Sequence, residues 1–479
     1  MNHLQAEIAD PALRPGGLGG AVAPPVTRTG EQRQTYRGVV DEDQADAVTL
    51  RRVPENAGDE VVGLPWSLVV RWPAEGRRVD RPRRFQRRRR GFAEEQIRSH
   101  ITSASPQSGR DTTRFMRILF VAAPLQGHLL PLVPLAAACR DAGHEVILAG
   151  GGFPPDVMGL RTADIGAGFS LPRSAVRVAL RHPGLARDEM RGIAGQAMVG
   201  ELFGRANLAL IGPLEALAEK EDPDLIVFEP LAEAGAVVAG RLSIPSALQE
   251  NTLWPATDLF EAVTRSSVMA KFAIPNPELT IAVTPPSLRD GPLAGAIAMR
   301  PVPFSGGGSI PEWLLTAGDK PRVLVSRSTL KGPNDGDPMP AVVAAAASVD
   351  AEFVLVRPAK ADRLPANVRA VDRIPLDRAL AHAAAFIHHS GAGSVLGGLA
   401  AGVPQLTTPG AGDRRFNSQK LADRGAGFAV EAKEITAADL TRLLTDETLR
   451  AAAREVAKEI AGMPSPSTVV AELEKLVSG

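Results

Sequence analysis

Two histidine-bearing loops hold most of the chemistry that residue types and spacing in this chain could perform. The first lies in residues 386–417, FIHHSGAGSVLGGLAAGVPQLTTPGAGDRRFN. A short apolar run, 384–387, leads into two histidines. A small Ser390-Gly391-Ala392-Gly393-Ser394 turn follows, and 395–401 has helical composition. That order predicts strand, turn and helix. Small turn residues let backbone N–H groups approach a pyrophosphate, and a helix starting near Gly393 would aim its unpaired amides and positive dipole end at the same anion. His389 would add a neutral or charged donor.

The second loop is Ala123-Pro124-Leu125-Gln126-Gly127-His128. It follows the apolar run 118–122, so it lies beyond the carboxyl end of a strand, where open parallel sheets place their ligands. An imidazole there could accept a proton from a hydroxyl near neutral pH. A carboxylate would hold its tautomer and stabilise the cation. Glu229, directly after the apolar run 225–228, stands at the equivalent end of a later strand. The alternative is that His128 caps the following helix and Glu229 is a solvated loop residue.

The elements that must position these loops alternate. Residues 118–122, 129–142 and 145–149 read as strand, helix and strand, a βαβ unit. A helix over 208–221 is broken by Pro223, and a buried strand at 225–228 and a helix at 232–241 follow. Residues 150–205 and 251–300 are less regular and richer in Met, Phe and Pro, as insertions over a sheet edge often are. PVPFSGGGSIP, 301–311, has three glycines and three prolines in eleven residues and is the best domain boundary. Alternation then restarts, with strands at 322–325 and 353–356 flanking a helix at 339–347. The expectation is α/β: two Rossmann-like domains at 116–300 and 316–460, a linker at 301–315, and a tail helix in 461–479 packing back toward the first domain.

At 479 residues and 44% apolar content the chain can bury sizeable cores. Its 54 basic and 54 acidic residues cancel, so nothing global points to nucleic acid or an anionic membrane. The single cysteine, Cys139, excludes internal disulfides and fits a cytoplasmic location. No secretory signal heads the chain, and Pro124, Gln126, Gly127, His128, Pro131 and Pro134 interrupt the apolar run 118–139. Residues 1–115 look foreign to the rest. They hold nineteen arginines, no lysine and fifteen acidic residues, and nine of the arginines fall in 77–90. A disordered tail, a nucleic-acid or membrane patch, and a spurious extension before a true start at Met116 are the open readings, the last being favoured.

The GH-x-x-P loop (Gly127, His128, Pro131), the HHSGAGS turn, AAGVPQLTTP and GDRRFN together resemble glycosyltransferases of the two-domain B fold (GT-B). The closest likeness is to bacterial natural-product enzymes of the macrolide and calicheamicin type. RPVPF at the linker and PSL at 286–288 also fit, so the resemblance runs from Met116 to the C-terminus. It implies that His389, Ser390, Gly391, Ala392, Gly393 and Ser394 hold a diphosphate, that Asp413 takes donor-sugar hydroxyls, and that His128 is the catalytic base. Glu229 stands where the family usually has Asp, Arg414 where a Gln is common, and Arg373, before Ile374, where a Trp often stacks on the base. Ser326-Arg327-Ser328-Thr329 departs from the usual T-x-G-T turn. No metal or other cofactor is expected.

Gly397 occupies the position of a glutamate that, in plant-type UDP-glucose enzymes, grips the ribose hydroxyls. Thymidine nucleotides lack the 2'-hydroxyl, so losing that acceptor costs them less. The donor expected is therefore a dTDP-linked sugar, with close helix packing at Gly397 as the alternative. The acceptor expected is a hydroxyl of a hydrophobic natural-product aglycone, with inversion at the anomeric carbon. Phe153, Met158 and Trp254, with Phe169, Met190, Met198 and Phe203, are candidates to line its pocket or to be ordinary core. Asp222 and Asp224 read as turn and cap residues, and Gly306 to Gly308 as the hinge of domain closure. The expected oligomeric state is monomer or homodimer.

Other readings differ in identifiable features. A nicotinamide dehydrogenase would share the glycine turn, but the spacing is G-x-G-x-x-x-G and fewer than ninety residues follow Gly391. A nucleotide-sugar epimerase would need several acids around the sugar, and a non-catalytic sugar-nucleotide-binding protein would not need His128.

Overall fold

The structure is a computed structural model and describes residues 36–40, 47–52, 68–71, 115–154, 156–191, 193–293, 295–316, 318–328, 336–359 and 363–478. The chain divides into two compact units, Met1–Pro106 and Gln107–Gly479. In the first, strands β1 (Tyr36–Val40), β2 (Ala47–Arg52) and β3 (Leu68–Arg71) form an antiparallel sheet in the order β1-β2-β3. The remainder of that unit, including the arginine run at 77–90, lies outside the described residues.

The second unit holds two parallel sheets. The first contains β4 (Arg117–Val121), β5 (Glu145–Gly150), β6 (Arg161–Asp164), β7 (Leu225–Phe228), β8 (Ser246–Gln249), β9 (Leu279–Ala282) and β10 (Ile297–Ala298). Its order is β10-β9-β8-β7-β4-β5-β6. The second contains β11 (Arg322–Ser326), β12 (Glu352–Val356), β13 (Val368–Val371), β14 (Ala385–His388), β15 (Gln405–Thr407) and β16 (Gly427–Ala429), in the order β13-β12-β11-β14-β15-β16. Both are doubly wound, and in both the order reverses beside the first strand. The two switch points, between β4 and β7 and between β11 and β14, are where such sheets open a crevice for ligands.

Local sequence explains these strands. LIVF of β7 and AFIH of β14 are buried throughout, because a parallel strand covered on both faces carries a continuous apolar run in place of alternation. β7 is aligned by the preceding turn. Asp222 takes a left-handed φ of 48° at the end of the helix Gly195–Glu221, and Asp224 accepts from the Arg117 amide at 2.8 Å.

That helix corrects an expectation. Residues 150–205 were to be less regular, yet they carry the helices Leu171–Arg181 and Pro183–Met190 and the first half of Gly195–Glu221. Two glycines in that helix permit a close crossing. A Cβ on Gly200 would lie 2.3 Å from the Ala262 carbonyl oxygen, and one on Gly204 would lie 2.2 Å from Ser266 Oγ. Packing of the helix Ala256–Thr264 therefore outweighs glycine's weak helix propensity.

The tail helix Pro466–Ser478 packs against Val133–Asp141 of the first sheet's layer, with Val469, Val470 and Leu473 in one apolar cluster with Leu129, Leu135 and Cys139. His144 pairs with Glu474 at 3.1 Å at its edge, and the Arg300 amide donates to the Pro464 carbonyl at 2.7 Å. Among the described residues no helix is long and apolar enough to cross a membrane. Leu473 is fully buried. Leu473→Ala should lower the free energy of unfolding by about 2–5 kcal/mol in urea titration, and a loss below about 1 kcal/mol would show that the strap adds little to the core.

Candidate active site

The first switch point assembles a histidine–carboxylate pair. β4 delivers the loop that carries His128, and β7 delivers Glu229 one residue beyond its last strand residue. Their side chains meet with Nδ1 to Oε2 at 3.4 Å. Glu229 is not a solvated loop residue, being 0% exposed. Its Oε1 accepts from the Ala123 amide at 2.9 Å, and its Oε2 accepts from the Leu231 amide at 2.9 Å and from Asn251 Nδ2 at 2.8 Å. A buried carboxylate costs several kcal/mol unless paired and hydrogen-bonded, and these contacts meet that need. The longer arm of Glu compared with Asp lets one carboxylate join all of these groups.

His128 makes no capping hydrogen bond to the helices that follow it. With Glu229 as acceptor, Nδ1 carries the proton and Nε2 keeps its lone pair. The side chain is 22% exposed and leans on Phe203, ring centroids 5.1 Å apart. Burial alone would depress its pKa, but the charge and hydrogen bond of Glu229 and the charge of Asp413 prevail and raise it above the ordinary 6.5.

The second switch point builds the other half. β14 ends at His388, and the helix Ala392–Ala400 begins after the N-cap Gly391. The two adjacent histidines have separate tasks. His388 Nδ1 accepts from the Ser390 amide at 3.1 Å, so Nε2 donates to Gln405 Oε1, 2.7 Å away. Burial pushes its pKa down to about 4, and it is a neutral structural bracket. His389 is half-buried, its Nδ1 lacks a partner, and its pKa is held well below 6.5 by burial, then by Arg414, His388 and Arg357. It would meet a ligand as a neutral imidazole.

Ser390 adopts φ 64°, unusual for a residue with a side chain. It is pinned there by its Oγ, 2.6 Å from Ser418 Oγ and 3.3 Å from the Thr408 carbonyl, and by Asn417 Nδ2 donating to its own carbonyl at 2.9 Å. Gly391 leaves room for its neighbour, since a Cβ there would lie 2.6 Å from His389 Nε2 and push the ring aside. Gly397 is different: its Cβ would meet Leu380 at 3.6 Å and Pro303 at 3.9 Å, ordinary contacts, so close packing does not demand glycine there.

Asp413 faces the first half. Its Oδ2 accepts from Thr252 Oγ1, beyond β8, at 3.2 Å and from Asn417 Nδ2 at 2.8 Å. Trp254 is buried against Phe416 of the next helix, ring centroids 5.8 Å apart. Ser326 ends β11, 3% exposed, with its Oγ unpartnered. Arg414 Nη2 donates to Ser328 Oγ at 2.9 Å. Ala392 is buried, Ser394 half-buried and Gly393 exposed at the first turn of the helix.

Some expected residues are elsewhere. The Ile374 side chain sits in the apolar cluster of Leu314, Val354 and Phe386, leaving only its backbone for a ligand. Met158 is exposed, and its carbonyl accepts from Arg140 in the last turn of Val133–Asp141, the end remote from His128. Phe153 packs on the core of the first sheet, whereas Phe203 reaches His128. Asn251, Thr252 and Asn417, which were not expected, join the site; a position just beyond β8 was the only signal for the first two, and Asn417 closes the GDRRFN motif. Among the described residues no cluster of His, Cys, Asp or Glu side chains is arranged to hold a metal ion. Gly391→Ala should displace the His389 ring and weaken binding of a nucleoside diphosphate about tenfold or more, read as a smaller thermal shift at equal concentration; an unchanged shift would remove His389 from the anion site.

The chain matches the two domains described as Erythromycin biosynthesis protein CIII-like, the N-terminal domain over residues 137–328 and the C-terminal domain over 340–476. It is 34% identical over 385 residues to the elloramycin glycosyltransferase ElmGT of Streptomyces olivaceus, covering 75% of this chain and 97% of that protein. Among solved structures, the glycosyltransferase SnogD from Streptomyces nogalater aligns with a TM-score of 0.64 at 32% identity, over 76% of this chain and all of that one. SsfS6 from Streptomyces sp. SF2575, solved with thymidine diphosphate, aligns at 0.63 and 28% identity, over 75% of this chain and 99% of its own. These shared domains and the two doubly wound sheets place the chain in the Erythromycin biosynthesis protein CIII-like family of bacterial natural-product glycosyltransferases with the GT-B fold.

Proposed function

We propose that the enzyme moves a sugar, with inversion, from a dTDP-linked donor to a hydroxyl of an apolar natural-product aglycone. The observation that carries this reading is the His128–Glu229 pair on one side of Asp413, with the Gly391 to Ser394 turn on the other. The acceptor hydroxyl gives its proton to His128 Nε2 as its oxygen attacks the anomeric carbon. The bond to the nucleoside diphosphate breaks on the opposite face, which inverts the configuration. Glu229 holds the imidazole and stabilises the imidazolium that forms. The amides at the start of Ala392–Ala400 and the neutral His389 meet the charge on the departing phosphate, fixed in place before reaction. Asp413 would exchange Thr252 for donor-sugar hydroxyls, and Phe203 and Trp254 supply apolar surface near the acceptor. Soluble, cytoplasmic operation without a cofactor belongs to the same reading.

The preference for thymidine rests on Gly397. No packing constraint explains a glycine there, and a Gly leaves no acceptor for a ribose 2'-hydroxyl; SsfS6 with its thymidine diphosphate supports the choice. Thermal-shift screening should rank dTDP above UDP, and Gly397→Glu should narrow that gap in favour of UDP. A stronger response to UDP in the unaltered enzyme would refute the preference.

His128→Ala should lower transfer roughly 10²- to 10⁴-fold while donor binding persists; untouched transfer would remove His128 as base. Neutral imidazole is the working form, so kcat/KM falls as pH drops through its pKa, and Glu229 and Asp413 keep that limb above the ordinary 6.5. Glu229→Gln removes the main raising influence and leaves burial, so the acid limb should move to lower pH as the plateau rate falls. An unmoved limb would assign it to another group.

A further inference from the structure

Two positions that depart from the family pattern, Arg373 and Arg414, are arginine, and the fold sets them on one edge with Arg327 and Arg357. Arg327 follows β11, Arg357 follows β12, Arg373 is the second residue after β13, and Arg414 opens the helix after β15. The sheet order β13-β12-β11-β14-β15 sets them along one carboxyl edge, the edge that also carries His389. They interlock. Arg327 Nε donates to the Arg357 carbonyl at 2.7 Å, Arg357 Nη2 donates to the Arg327 carbonyl at 3.4 Å, and Arg414 Nη2 donates to Ser328 Oγ at 2.9 Å.

We propose that Arg327, Arg357, Arg373 and Arg414 act as one cationic clamp that selects the donor by its diphosphate charge and carries the charge gained by the departing nucleoside diphosphate. This rests on the donor assignment made above and adds the recognition element that the glycine turn does not supply.

Like charges meet at Arg357. Among the described residues the charged groups bearing on it are Arg373 and Arg327, both cations, and its pKa is lowered by burial first and by those two next. A guanidinium nevertheless stays charged, so the repulsion persists. Arg357 also holds φ 56°, a left-handed conformation that non-glycine residues seldom keep unless function or packing demands it. Two buried polar atoms at the same edge, Ser326 Oγ and His389 Nδ1, lack partners, as expected of groups that face a polar ligand. A sugar nucleotide brings two negative charges, and cleavage leaves three on the nucleoside diphosphate, so attraction grows along the reaction. Such an interaction raises kcat as well as affinity.

The test is calorimetry of dTDP and thymidine monophosphate binding to the full chain and to Arg414→Gln and Arg373→Gln, with melting temperatures of the ligand-free proteins. The unaltered enzyme should prefer the diphosphate strongly, and its affinity should fall as ionic strength rises from roughly 0.01 to 1 M, where the screening length shortens from about 30 to 3 Å. Each variant should bind dTDP about ten- to a hundredfold more weakly, with a flatter salt dependence and little change for the monophosphate. Arg414→Lys should recover part of the salt dependence. Ligand-free melting temperatures should hold. Unchanged dTDP affinity and salt dependence with reduced turnover would overturn the clamp, as would a fall in ligand-free melting temperature that accounts for the lost binding. If the unaltered enzyme binds neither dTDP nor UDP, the donor assignment itself fails.

Discussion

The structure turns on one carboxylate removed from water. Glu229 is wholly buried, and an ionised carboxylate is tolerated there only because N–H groups from three separate segments converge on it. Ala123 comes from the loop after β4, Leu231 from the loop after β7 and Asn251 from the loop after β8. Those strands must be neighbours, in the order β8-β7-β4, for the donors to meet. The same contacts leave Oε2 facing His128, so the requirement that stabilises the charge also sets the direction of the imidazole. The arm of Glu, longer than that of Asp, spans the distance among the three loops.

The second sheet solves a similar problem with neutral groups. Ser390, His388 and Gln405 form a continuous chain of hydrogen bonds beneath the glycine turn, and burial keeps His388 uncharged. Gln405 Nε2 also donates to the Val395 carbonyl at 3.2 Å, tying β15 to the helix whose first amides face the cleft. The left-handed Ser390 is thus held by its surroundings on several sides, a condition under which backbone strain persists at functional sites.

Much of this was legible in the residues, for a specific reason. Parallel strands covered on both faces show as short continuous apolar runs, so β4, β7, β11, β12 and β14 stand out, and side chains just beyond such runs fall at the ligand-binding edge. His128, Glu229, His389 and Asp413 were found that way or by resemblance. Asn251 and Thr252 were not, because their importance depends on β8 lying beside β7, which sequence order does not state. The helix Gly195–Glu221 was half missed for a related reason: Gly200 and Gly204 weaken a helix locally and stabilise it through a crossing with Ala256–Thr264. Arg373 and Arg414 looked like unrelated departures until strand order set them along one edge with Arg327 and Arg357.

The two halves of the cleft carry opposite fields, and the proposed reaction moves charge along that difference. Glu229 and Asp413 raise the proton affinity of His128, whereas Arg414 and Arg357 help to depress that of His389. In the displacement a proton reaches His128 as negative charge gathers on the phosphate beside the arginines. Each charge therefore forms where fixed charges of opposite sign already stand, so little reorganisation is needed during the step. Exchanging the two environments would oppose the transfer at both ends: a histidine among arginines would be a poor base, and a phosphate beside buried carboxylates a poor leaving group. The strand orders of the two sheets fix which environment each loop receives, and this links the topology to the direction in which charge can move.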